Sequence, residues 1–161
     1  MRAGRKVNND RPDNPLVKRL IGYIEEHLQA LLKQRGVSTR LLNASEVSIA
    51  STNVSLSESG CSLGTFQYSV INTTNNLVIV GNVRNNKLIA NLCQKDAYTY
   101  DKILEDVDDQ YPGKARGVIQ VAESINKPYF CPTDRVRDAI LVGGSDEEGT
   151  IRALAKLMEL L

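Results

Sequence analysis

Asp138-Ala-Ile-Leu-Val-Gly-Gly-Ser-Asp-Glu-Glu-Gly-Thr-Ile-Arg-Ala-Leu154 changes its hydrophobic period part-way along. Residues 138–142 read as a strand, and Gly143-Gly144 as a turn. Beyond the turn, Ile151, Leu154, Ala155, Met158 and Leu161 return at three- and four-residue intervals and line one side of a terminal helix. The junction carries Ser145 and Glu148 in S-x-x-E spacing, a capping box that closes two unpaired N–H groups. Asp146, Glu147 and Glu148 then sit in the first turn, where the helix dipole favours negative charge. The spacing is neither G-x-x-x-x-G-K-[ST] nor G-x-G-x-x-G, and three carboxylates repel a bare phosphate. The other use of this turn is a ligand site assisted by a cation.

Working outward, Gly117-Val-Ile-Gln-Val-Ala122 and Leu77-Val-Ile-Val80 read as strands, the latter ending at Gly81. Asn85-Asn86 can cap a helix carrying Leu88, Ile89 and Leu92. A second short helical pattern starts near Thr99 to Asp101 and includes Ile103, Leu104 and Val107. Asp108-Asp-Gln-Tyr-Pro-Gly113 is a turn cluster, and Ser124–Asp134, with two prolines, is irregular. Upstream, residues 37–71 are rich in Ser, Thr and Asn with alternating apolar positions. They predict strands near 46–50, 53–57 and 64–71, with Ser57-Glu-Ser-Gly60 as a turn. Asn14-Pro15 opens a long amphipathic helix over 15–35, with Leu16, Leu20, Tyr23, Ile24, Leu28, Leu31 and Leu32 on its apolar face. His27 is read as a surface or boundary residue of that helix. The order predicts an α/β or α+β fold, a mixed sheet with a long N-terminal helix and a C-terminal strand-turn-helix packed on it. Residues 1–13 are expected to be a disordered basic tail, and 14–161 a single domain.

The chain has 161 residues, 42% hydrophobic and 24% charged, enough to bury a core without metal or disulfide. A net charge of +1 gives no global electrostatic case for nucleic acid or an anionic membrane. Residues 1–40 do carry 9 Lys/Arg against 4 Asp/Glu, including the arm of Arg2, Arg5, Lys6 and Arg11, read as a solvated tail. Cys61, Cys93 and Cys131 form no C-x-x-C pair and have one histidine to join them, so no zinc site is expected. Three reduced thiols, or one bridge and one free thiol, both remain open. No apolar run is long enough for a membrane-spanning helix. The N-terminus lacks the apolar stretch of a signal peptide, which leaves open a cytoplasmic chain or an export signal outside the sequence shown. Asn43-Ala-Ser, Asn53-Val-Ser and Asn72-Thr-Thr match the N-glycosylation acceptor pattern.

Gly81-Asn-Val-Arg-Asn-Asn86 is a second strand–loop–helix junction. If its strand and the strand at 138–142 share direction, the two loops lie side by side at the carboxyl edge, where open α/β sheets bind ligands. Asn82, Arg84, Asn85 and Ser145 would then line a polar cleft. No catalytic residue is nominated: the single histidine is on the distant first helix, and spacing alone cannot pick a carboxylate pair. No cofactor or metal is expected. Tyr98, Tyr100, Tyr111 and Tyr129 offer stacking faces for a carbohydrate, but the chain has no Trp, and packing is the plainer use for them.

The segment Leu77-Val-Ile-Val-Gly-Asn-Val-Arg-Asn-Asn-Lys-Leu-Ile-Ala90 is similar to a strand-Gly-loop-Asn-helix segment of archaeal S-layer and related envelope proteins. Arg116–Val121 and Asp138–Leu154 continue the resemblance in order. The layout also looks like the small α/β accessory domain that precedes the catalytic barrel in some hexosaminidases and α-glucuronidases. Both resemblances imply a non-catalytic domain that packs, assembles or supports a neighbour. The expectation is a structural, assembly or adhesion domain at the cell surface or outside the cell. Its partners would be protein subunits, including copies of itself. The alternative is a small-ligand binder or enzyme, in the cytoplasm or outside it, using the cleft between residues 81–86 and 143–150.

Overall fold

The computed structural model describes residues 15–58, 61–93, 105–126 and 137–161. In chain order these form α1 (Pro15–Tyr23), a π-helical stretch (Ile24–Gln29), α2 (Ala30–Gln34) and a 3-10 turn (Ala44–Glu46). Then follow β1 (Ile49–Glu58), β2 (Cys61–Ile71), β3 (Leu77–Val80), α3 (Lys87–Leu92), β4 (Gly117–Ala122), β5 (Ala139–Gly144) and α4 (Glu147–Leu160). The basic tail, Cys131, Tyr98, Tyr100, Tyr129 and the helical pattern over 99–104 lie outside the described residues.

The fold is of the mixed α/β or α+β class. Among the described residues, β3, β5 and β4 form one sheet in that order, with β3 parallel and β4 antiparallel to the central β5. Alternation assigns each side chain to a face. Ala139 and Leu141 of β5, Leu77 and Ile79 of β3, and Val118 and Ala122 of β4 join Val47, Ile71, Leu88, Ile89, Leu92, Val107 and Ile125 on one side. Ile140, Val142, Val80 and Ile119 meet Ile24, Leu28, Ala153, Leu154 and Leu157 on the other. Both faces of β5 are therefore covered, which explains why its sequence is an unbroken apolar run.

The N-terminal helix departs from a plain α-helix in its middle. Leu20, Ile24, Leu28 and Leu32 recur every four residues and all pack into the core shared with α4. At 3.6 residues per turn a four-residue step drifts by roughly 40°, so three steps would carry the stripe around the helix. The wider π-helical turns over Ile24–Gln29 take up that drift and keep the four side chains facing α4. Arg19 Nε, in the middle of α1, stands 3.5 Å from Glu147 Oε1 in the first turn of α4.

Gly143 and Gly144 belong to β5 rather than to a turn, paired with Val118 and Gly117. Their small size serves close approach. A Cβ on Gly143 would collide with the carbonyl oxygen of Gly81, and one on Gly144 would lie 2.5 Å from the backbone nitrogen of Thr150. The strands expected at 46–50 and 53–57 are one strand, since pairing with β2 runs without interruption from Ile49↔Ile71 to Leu56↔Gly64, and the irregularity falls at Leu56/Ser57 instead. Val47 follows the 3-10 turn and is buried in the core. That turn is started by Asn43: its Oδ1 accepts from the Ser45 N–H, and its backbone N–H donates to Glu46 Oε2. Residues 105–107 are irregular, not helical. Gln120, buried on β4, binds there with both ends of its amide, accepting from Glu105 N–H at 3.0 Å and donating to Glu105 C=O at 2.7 Å.

Candidate functional site

The parallel pair β3 and β5 brings residues 81–86 and 145–146 to the same edge of the sheet. Because β4 is antiparallel, its first residue Gly117 also lies there, opposite Gly144. The turn over 108–116 therefore reaches this edge with the two expected loops.

Asn82, Arg84 and Asn85 share one loop, and Asn82 spans to β5. Its Nδ2 donates to Gly144 C=O at 3.2 Å, and its Oδ1 accepts from Arg84 N–H at 3.0 Å. Asn82 N–H in turn donates to Asn85 Oδ1 at 2.7 Å. Asn82 is buried, so an unpaired amide here would be costly, and these partners satisfy it. Asn86 caps α3: Oδ1 accepts from Leu88 N–H and Nδ2 donates to Val80 C=O. The Arg84 guanidinium is exposed and pairs with Asp109 Oδ2 at 2.6 Å.

The helix expected to begin with Ser145 is capped one residue later. Asp146 Oδ1 accepts from Gly149 N–H at 2.8 Å, while Ser145 Oγ accepts from Gly113 N–H at 2.9 Å. The second oxygen of Asp146 accepts from Ala115 N–H at 2.9 Å. Ala115 has φ of 55°, a left-handed conformation that costs an alanine roughly 1–2 kcal/mol, and the Asp146 bond helps to hold it. Ser145 and Asp146 thus fasten the 113–116 turn to the start of α4. At the other end of that turn Asp108 Oδ1 accepts from the Gln110 and Tyr111 N–H groups.

Asn82, Arg84, Asn85 and Ser145 are therefore brought to one edge of the sheet, with the 108–116 turn beside them. The oxygen atoms of Asn82, Asn85 and Ser145 bond backbone N–H groups of this chain. Sequence reasoning missed Asp146 as the cap, although Asp ranks with Ser in that role. It also missed the clamp made by Gln120, whose only signal was a polar residue on the apolar side of β4. His27 lies elsewhere, on the π-helical stretch, its side chain 45% exposed and its ring centroid 4.5 Å from that of Tyr23. No group of three or more His, Cys, Asp or Glu among the described residues could hold a metal ion. Comparison of the chain with protein families, with curated proteins and with solved structures finds no match.

The electrostatics of the edge are those of fixed carboxylates. The N–H groups of Ala115 and Gly149 hold the Asp146 carboxyl below the usual carboxylate range, and those of Tyr111 and Gln110 do the same for Asp108. A carboxyl whose pKa is lower in the folded chain adds stability that is complete above its unfolded value of about 3.9, and that is lost as pH falls through the folded value. Asp146→Asn keeps an oxygen able to cap α4 but removes the titration. Melting temperature followed from neutral to strongly acid pH should therefore fall less steeply for this variant than for the wild type. Identical acid limbs would contradict the assignment.

Proposed function

We propose that this chain is a non-catalytic structural domain acting in assembly or adhesion at a cell envelope, in the manner of an S-layer domain, with protein subunits as its partners. The observation that carries this reading is an uncovered apolar row on the sheet. Val78 of β3 and Val121 of β4 are both paired with Ile140 of β5, on the face that α4 covers elsewhere. Val78 is 41% exposed and Val121 63%. Two valines left in water on either side of Ile140 are a surface that association would bury. The bonding at the carboxyl edge adds support, because its side-chain oxygens fasten the chain to itself and no base stands bonded to Ser145 among the described residues. No helix among the described residues is long and apolar enough to cross a membrane.

Sedimentation velocity over a wide range of concentration tests the proposal. Self-association is expected, weakened by Val121→Lys, which places a charge in the row. A monomer at every concentration, or a thermal shift with a sugar phosphate or nucleotide that Arg84→Ala abolishes, would overturn it in favour of a ligand-binding site.

A further inference from the structure

Three Asn-x-Ser/Thr sequences, starting at Asn43, Asn53 and Asn72, take no part in the assembly row. In an exported chain such a sequence can accept a glycan on its asparagine amide, provided that the side chain is exposed. The fold treats the three differently. Asn53 is inside β1, its extended backbone paired opposite Gln67. Asn72 is exposed at the end of β2, but its Nδ2 is engaged, donating to Ser48 Oγ at 3.2 Å. The Thr74 hydroxyl of that sequence is engaged as well, accepting from Asn75 Nδ2 at 3.4 Å.

Asn43-Ala-Ser45 is arranged around its own amide. Asn43 and Ser45 are both exposed, and Asn43 Oδ1 accepts twice from Ser45, from the N–H and from the hydroxyl, each at 3.0 Å. These bonds span two residues, so the turn forms with or without the rest of the fold. Two donors on one carbonyl oxygen draw electron density from the amide and make the Nδ2 protons easier to remove. The start of the 3-10 turn uses Oδ1 and the backbone N–H of Asn43, and a glycan on Nδ2 leaves both in place. Ala44 and Val47 pack into the core on the side of Leu141, whereas Val78, Ile140 and Val121 are on the other side of the sheet. A glycan at Asn43 therefore stands away from the assembly row.

We propose that Asn43 is a glycan attachment site, modified by transfer of a saccharide from a lipid-linked diphosphate donor. The bond between Nδ2 and the sugar C1 forms as the bond between C1 and the diphosphate oxygen breaks. The diphosphate leaves with the electron pair of that bond, and Nδ2 gives up one proton to a base of the transferase. The inference rests on the cell-envelope reading above, because such transferases act on exported chains.

The test uses the full chain isolated from fractions of its own cells, with intact and peptide masses measured. The peptide containing residues 43–45 is expected to carry an added saccharide mass, and enzymatic release should leave Asp in place of the asparagine. Ser45→Ala removes the hydroxyl but keeps the N–H that bonds Asn43 Oδ1, so the added mass should be lost while the variant folds. Ser45→Thr restores a hydroxyl at the same position and should keep the glycan. A chain found in the envelope fraction with Asn43 unmodified would overturn this site while the assembly reading survives. The same holds for a glycan on Asn53 or Asn72 with none on Asn43, or for one that persists in Ser45→Ala. A chain confined to the cytoplasm would overturn both.

Discussion

Leu141→Ala is expected to lower the stability of the folded chain by about 2–5 kcal/mol, the range for truncating a buried leucine. Leu141 is in the central strand, fully buried, between Ile79 of β3 and Gln120 of β4. The side chains around it come from β3, β4, α3 and the 105–107 segment, so no single element can shift to close the void. For a chain of this size the loss corresponds to a melting temperature lower by roughly 5–15 °C. Denaturant titration measures it directly, with an unchanged m-value expected. A loss well below about 1 kcal/mol would mean that β5 is not the centre of the core.

Gly144→Ala tests close approach instead of volume. The added methyl would lie 2.5 Å from Thr150 N, 2.6 Å from Gly149 C and 3.0 Å from Arg116 O. All three are backbone atoms, held by α4 and the start of β4, so none can yield like a side-chain tip. A destabilisation of about 1–3 kcal/mol or more is expected, in the manner of an overfilled core. Gly22→Ala supplies the opposite sign. Gly22 is in α1 with open space around its Cα, and a helical glycine replaced by alanine gains about 0.5–1 kcal/mol. Thermal melts of the two variants should therefore move in opposite directions. If Gly144→Ala melts with the wild type, the contact between β5 and α4 is looser than described.

The same glycines show what a sequence displays and what it hides. Ala139–Val142 and the stripe of Ile151, Leu154 and Met158 announced a strand and a helix because burial imposes one period on each. Gly143-Gly144 read as a turn, since glycine marks turns far more often than it marks a strand pressed against a helix. The spacing of Leu20, Ile24, Leu28 and Leu32 held a sign of the π-helical turns, but a four-residue interval also belongs to an ordinary amphipathic helix. At the sheet edge, Asn82, Arg84, Asn85 and Ser145 were legible as one group because two strand–loop–helix junctions with parallel strands must adjoin. The 108–116 turn among them was not, because it arrives there through the antiparallel direction of β4, which no residue pattern in β4 declares. The shift of the cap from Ser145 to Asp146 has the same origin. Both residues can cap, and the choice is settled by Gly113, whose N–H engages Ser145 from 32 residues away.

Gln120 binds the N–H and C=O of Glu105 much as a neighbouring strand would, with a side chain doing the work of a peptide group. The irregular stretch at 105–107 is thereby coupled to β4 in the way one rung of a ladder is coupled to the next. Local opening of that stretch means giving up a buried amide on the sheet itself, so the two belong to one cooperative unit of folding and not to a rigid sheet with a loose connection.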